Sequence, residues 1–148
     1  MRAQLDPIVE RVRAHFSAKH AARDRAYQAS RETIRNCANA IRAIHRAEFT
    51  EAQTLLKAAR DLLTGIKRDL AEHPEVFHGG FVDDAQKEYA EGCITYALVA
   101  GEPLPTPEAL EVGDAPYMNG MGEAAGELRR YLLDMLRRNQ VARCEDVL

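Results

Sequence analysis

Residues 8–47 read IVERVRAHFSAKHAARDRAYQASRETIRNCANAIRAIHRA, with neither glycine nor proline. Ile8, Val12 and Phe16, and later Ile34, Cys37, Ile41 and Ile44, recur every three or four positions, which places them on one face of a helix. Just upstream, Asp6-Pro7 reads as an N-cap followed by proline at the first helical position. One helix is therefore predicted from here to about Ala47, roughly 60 Å long at 1.5 Å per residue. An apolar face of that length cannot be buried within one small domain, so the helix requires long partners.

The rest of the chain supplies them. Thr50 with Gln53 resembles a capping box, and Leu55, Leu56, Ala59, Leu62, Leu63, Ile66 and Leu70 form the stripe of a second helix that His73-Pro74 ends. After Gly79-Gly80, Asp83 is read as the cap of a third helix carrying Glu88, Glu91, Ile94, Ala97 and Leu98 and stopping at Gly101. The four prolines of residues 102–116 mark a linker with a short turn at Thr106-Pro107-Glu108. A fourth helix runs from about Tyr117 to Asn139, with Met121, Leu128, Leu132, Met135 and Leu136 as its expected core face. Tryptophan is absent, aromatics are 6%, and no alternating β-branched runs occur, so the fold class is all-α, an elongated bundle of long antiparallel helices.

At 148 residues the chain is one domain by length. No apolar run approaches the roughly 20 residues that span a bilayer, and the N-terminus is charged rather than signal-like, so a cytoplasmic protein with no membrane partner is expected. Cys37, Cys93 and Cys144 are odd in number and lack zinc-site spacing; they are read as reduced, with Cys93 packed as a small hydrophobe. The net charge of −3 conceals an asymmetry: residues 1–70 hold 14 Lys and Arg against 8 Asp and Glu, and residues 71–148 hold 6 against 15. The basic half can follow a phosphate backbone. Alternatively the two halves attract each other within a bundle or across a subunit interface.

Two pairs of carboxylates carry the chemistry. Glu88 and Glu91 are three apart, Glu123 and Glu127 four apart, so each pair shares a helix face. Converging from two helices, four such groups form a hard-oxygen cage for Mg²⁺ or Mn²⁺, which can activate water at a phosphoryl centre. The ordinary alternative is a solvated acidic face, but both pairs are embedded in small and apolar residues. Gly122 and Gly126 each cost roughly 1 kcal/mol in a helix relative to alanine, and close approach of a backbone or ligand is the expected compensation. His15, His20 and His45, on the long first helix, are read as solvated or interface residues.

With these segments placed, the chain resembles the translin and translin-associated factor X (TRAX) family over about residues 20–140. Arg23-Asp24-Arg25 through Arg31-Glu32-Thr33-Ile34 to Ile44-His45-Arg46 is similar to the family's first helix, with its Ser-Arg-Asp and Lys-Arg-Thr-Ile segments. Glu88-Tyr89-Ala90-Glu91-Gly92 is close to the TRAX-type Glu-Tyr-x-Glu-Ala. Pro116-Tyr117-Met118-Asn119-Gly120-Met121 is like Asp-Tyr-Leu-Leu-Gly-Leu, and Gly126-Glu127-Leu128-Arg129-Arg130 matches Gly-Glu-Leu-x-Arg. The resemblance implies an all-α subunit of a closed homo-oligomer, an octamer, that binds single-stranded RNA or DNA. It also implies, in the TRAX-type branch, a Mg²⁺-dependent endoribonuclease whose metal-binding and catalytic acids fall here on Glu88, Glu91, Glu123 and Glu127. Glu123 stands where the family has Asp. The translin/TRAX-like domain is expected to occupy residues 1–148 and to stop short of the family's usual C-terminal helices, as a shortened member or an incomplete chain.

On this reading Arg23, Arg25, Arg31 and Arg35 are the candidate phosphate contacts, with ordinary salt bridges as the alternative. Arg130 is expected to orient a carboxylate, and Tyr89 to pack beside the site. The first rival is a non-catalytic single-stranded nucleic-acid binder of translin type. The second is an all-α nucleotide pyrophosphatase, built on a Glu-Glu-x-x-Glu helix and a Glu-x-x-Asp helix; Lys87 in place of its first acid and the four-residue spacing of the second pair count against it.

Overall fold

The computed structural model describes residues 2–140 together with Ala142 and Cys144; the expected end of the domain at residue 148 lies outside the described residues. These residues form six helices and no strand: α1 (Arg2–His45), α2 (Phe49–Asp69), α3 (Pro74–Phe77), α4 (Gly80–Ala100), α5 (Pro107–Leu110) and α6 (Asp114–Arg137). The all-α expectation holds, and the long first helix is continuous.

Several helix ends differ from the sequence reading. Pro7 lies inside α1 rather than at its start; its fixed φ suits a helix, and near an end its missing N–H removes only one bond. The capping box at Thr50 does not form, because Glu48 stands at the cap and Gln53 Nε2 instead donates to the Tyr96 hydroxyl of α4 at 2.6 Å. Asp83 sits in the first turn of α4 rather than at its cap, where its charge still suits the helix dipole. The turn at Thr106 forms as expected, with Thr106 Oγ1 accepting from Ala109 N.

Three of the long helices run the same way. Arg23 lies over the Phe81 ring near the start of α4, and further along Gly92 approaches Cys37, so α1 and α4 are parallel. A turn through Ala47, at φ 62°, sends α2 back along α1, where Arg25 comes within 3.9 Å of Asp69. Gly113 N donates to Gln86 Oε1 at 2.9 Å, and Gly120 seats against Lys87 and Glu91, so α6 follows α4 in the same direction. The expected antiparallel packing is that of α2 against α1 and α4, and α6 adds a parallel neighbour to α4. Parallel neighbours cannot be joined by a tight turn, and the proline-rich stretch supplies the return: it crosses α2, where Arg60 and Lys67 both reach Glu111, and is held by the Tyr117 hydroxyl donating to Pro105 O at 2.8 Å.

The core is small-residue packing. Ala22, Ala26, Cys37, Ala40 and Ala43 of α1 and Ala52, Leu56, Ala59, Leu63 and Ile66 of α2 meet α4, the most buried helix, through Val82, Ala85, Tyr89, Ala90 and Ile94. From α6, Tyr117, Gly120, Ala124, Tyr131 and Met135 face inward. Leu136, expected in the core, is half exposed; α6 packs mainly along α4 and meets α1 at His45, which leaves one flank of its apolar stripe uncovered. The long stripe of α1 is likewise only partly used. Every described side chain from Gln4 to Ala18 is exposed, including Leu5, Ile8, Val9, Val12 and Phe16.

Candidate metal centre

The site lies where α4 and α6 touch most closely. At Gly120 a Cβ would meet Lys87 O at 2.6 Å, Glu91 N at 2.9 Å and Ala90 Cβ at 3.0 Å, so only glycine permits this approach. One turn on, Glu123 is thereby carried against the acidic turn of α4. The close approach expected at Gly122 and Gly126 is not found: nothing lies within 4 Å of a Cβ at either position. They face away from α4, and the glycine that the packing requires is Gly120.

Glu88, Glu91 and Glu123 each direct a carboxylate oxygen into one cluster, all within 4.8 Å of one another. Their exposure is graded: Glu123 is open to solvent, Glu88 partly covered and Glu91 buried at 7% exposure. Burial, then the charges of Glu88 and Glu123, push the Glu91 carboxyl up to about 8; a hydrogen bond to Glu123, with Glu91 supplying the proton, and the more distant Glu127 add to it. A carboxyl that holds its proton this firmly marks a locus with more negative charge than its surroundings neutralise. The donor set is hard oxygen alone, suited to Mg²⁺ or Mn²⁺ rather than to zinc.

Two neighbours are not assigned to the site by the sequence reading. Lys87 Nζ lies 2.9 Å from Glu123 Oε1 and 3.2 Å from Glu88 Oε1, tying the two helices together, and these carboxylates raise its hold on its proton. His45, read as solvated or interfacial, is instead largely covered, its side chain 9% exposed, and donates from Nε2 to Glu127 Oε2 at 2.5 Å. Its Nδ1 is buried without a hydrogen-bond partner among the described residues. Glu127 thus stands outside the three-carboxylate cluster, drawn toward the end of α1, with Arg130 Nη1 3.9 Å from the same oxygen. Tyr89 is packed at 4% exposure, and burial raises its hydroxyl well above the usual range. Burial likewise pushes the Cys93 thiol up to about 11; all three cysteines are free.

The four candidate arginines of α1 are exposed, but they do not form one row. Arg23 turns toward α4 and Phe81, Arg25 toward Asp69 of α2, and Arg35 pairs with Glu32 one turn earlier at 3.5 Å. On the outer face of α6, Arg129, Arg130 and Arg137 line a groove with Gly126 and Asp134. Among the described residues no helix is long and apolar enough to cross a membrane.

A helical protein with parallel long helices and a carboxylate cluster between two of them is the class that fold and site define. Solved structures narrow it. AfC3PO, in its own crystal structure and in a complex with duplex RNA, is 32% identical, with a TM-score of 0.85 over 94% of this chain and 71–72% of the other. The chain belongs to the translin/TRAX-type C3PO family. Apo-NeC3PO, 20% identical over 97% of this chain and 74% of its own, shares the fold at a TM-score of 0.74. An uncharacterised protein of Methanocaldococcus jannaschii is 26% identical over 134 residues, and the chain spans 59% of its length. No protein-family model matches the chain.

Proposed function

We propose that this chain is the repeating subunit of a homo-oligomer, an octamer, that binds RNA and cleaves single-stranded RNA in a Mg²⁺- or Mn²⁺-dependent reaction, as a member of the TRAX-type branch. The observation that carries the reading is the convergence of Glu88, Glu91 and Glu123 from two helices within 4.8 Å. Glu-Tyr-x-Glu, the acidic signature of that branch, supplies two of the three. The complex of AfC3PO with duplex RNA supports a nucleic-acid partner.

A divalent ion held by these carboxylates supplies a polarised phosphate and an activated water. The chain's own groups do the rest. Glu91, which holds its proton near neutral pH in the metal-free chain, gives that proton up when an ion takes its place. Lys87 brings a positive charge to the cluster's solvent side, where phosphate oxygens would arrive. His45 and Arg130 fix Glu127 beside the site.

The test is cleavage of labelled single-stranded RNA by purified protein with Mg²⁺, with Mn²⁺ and in chelator, against Glu91→Gln. The expected outcome is metal-dependent cleavage that falls at least 100-fold in the variant while binding persists. Wild-type cleavage by Glu91→Gln would remove the site. One observation favours a second reading, a non-catalytic binder of translin type: Lys87 already pairs with two of the carboxylates and Glu127 is engaged with His45. On that reading RNA is held equally well in chelator and is never cut.

A further inference from the structure

Lys87 is in the unusual position of a built-in cation. Its ammonium lies between carboxylates of two different helices, 2.9 Å from Glu123 and 3.2 Å from Glu88, with a side chain only 24% exposed. Gly120 seats against the Lys87 carbonyl itself. Backbone and ammonium are therefore both fixed at the α4/α6 contact. A lysine that merely decorated an acidic surface would be extended into water, with little to hold it in one geometry.

The charge count follows from these contacts. Glu127, drawn away by His45, leaves three carboxylates in the cluster. Three negative charges less the one positive charge of Lys87 leave two, which one divalent ion balances. A second divalent ion would have to bind in a cluster already neutral, or displace an ammonium held on two sides, and repulsion between close like charges in a partly covered site is severe. We propose that Lys87 acts as the second cation of the site and limits it to a single divalent ion per chain. This rests on the metal-site reading above, which leaves the number of ions open.

The test is the stoichiometry of Mn²⁺ binding, read by titration calorimetry and by the loss of the free-ion paramagnetic signal, on the full chain. Wild-type protein is expected to take one Mn²⁺ per chain. Lys87→Met, similar in length and uncharged, is expected to take two, and Lys87→Arg, which keeps the charge, to stay at one; circular dichroism melts establish that each variant is folded. Two ions on the wild-type chain, or a single ion on Lys87→Met at any affinity, would overturn the inference while leaving the metal site intact. Absence of binding by the wild-type chain would remove the metal site itself, and the role of Lys87 with it.

Discussion

Glu91 is the residue under greatest electrostatic tension. Its proton affinity, raised to about 8 from an ordinary 4.5, means that the metal-free folded protein binds a proton that the unfolded chain releases between those values. By linkage, the stability that this group contributes is fully present below about pH 4.5 and is lost as pH rises through 8. Glu91→Gln removes the dependence. At pH 8 and without metal, the variant is expected to melt about 5 °C above wild type, corresponding to roughly 1–2 kcal/mol in a chain of this size. Thermal melts from pH 5 to 9 in chelator check this; parallel curves for the two proteins would refute it. At this scale the sequence disclosed the acids and hid their partners. Spacing on one helix is visible in a linear string, whereas His45 and Glu127 meet across 82 positions and Lys87 and Glu123 across 36. No local pattern encodes such pairs.

Among the elements, α4 and α6 decide whether a site exists, and the contact depends on one absent methyl group. Gly120→Ala would place a Cβ 2.6 Å from a backbone carbonyl that cannot swing aside. The helices must separate, at an expected cost of about 2–3 kcal/mol, and Glu123 moves with α6, so Mn²⁺ should no longer raise the melting temperature. Gly126→Ala meets nothing within 4 Å and replaces a residue poorly suited to a helix interior; it is expected to add roughly 0.5–1 kcal/mol. Paired melts of the two variants, with and without Mn²⁺, separate packing from propensity, and equal effects would contradict the proposed contact. The helix pattern itself was readable because the three-to-four periodicity is strong in every long segment. Their relative directions were not. Four long helices in succession suggest antiparallel neighbours, and only the return of residues 101–113 along α2 shows α6 lying parallel to α4.

For the whole molecule, the fold leaves an apolar surface that the chain alone does not cover. Leu5, Ile8, Val9, Val12 and Phe16 are each between 43% and 62% exposed, on a stretch of α1 where every described side chain from Gln4 to Ala18 faces solvent. That stretch is about 20 Å of helix, and apolar surface of such extent is ordinarily an interface. The sequence made this visible as a helix too long for its companions, because length and periodicity are local properties. We expect the protein to assemble beyond a dimer, with an octamer as the specific expectation, and light scattering at micromolar concentration gives the mass directly. Val12→Asp with Phe16→Asp introduces charge on the stripe without touching the core or the carboxylate cluster. The double variant is expected to lose the assembly while retaining its helix content and its Mn²⁺ response. A monomeric wild type would rule out the assembly, and a double variant with unchanged mass would place the interface elsewhere on the helices.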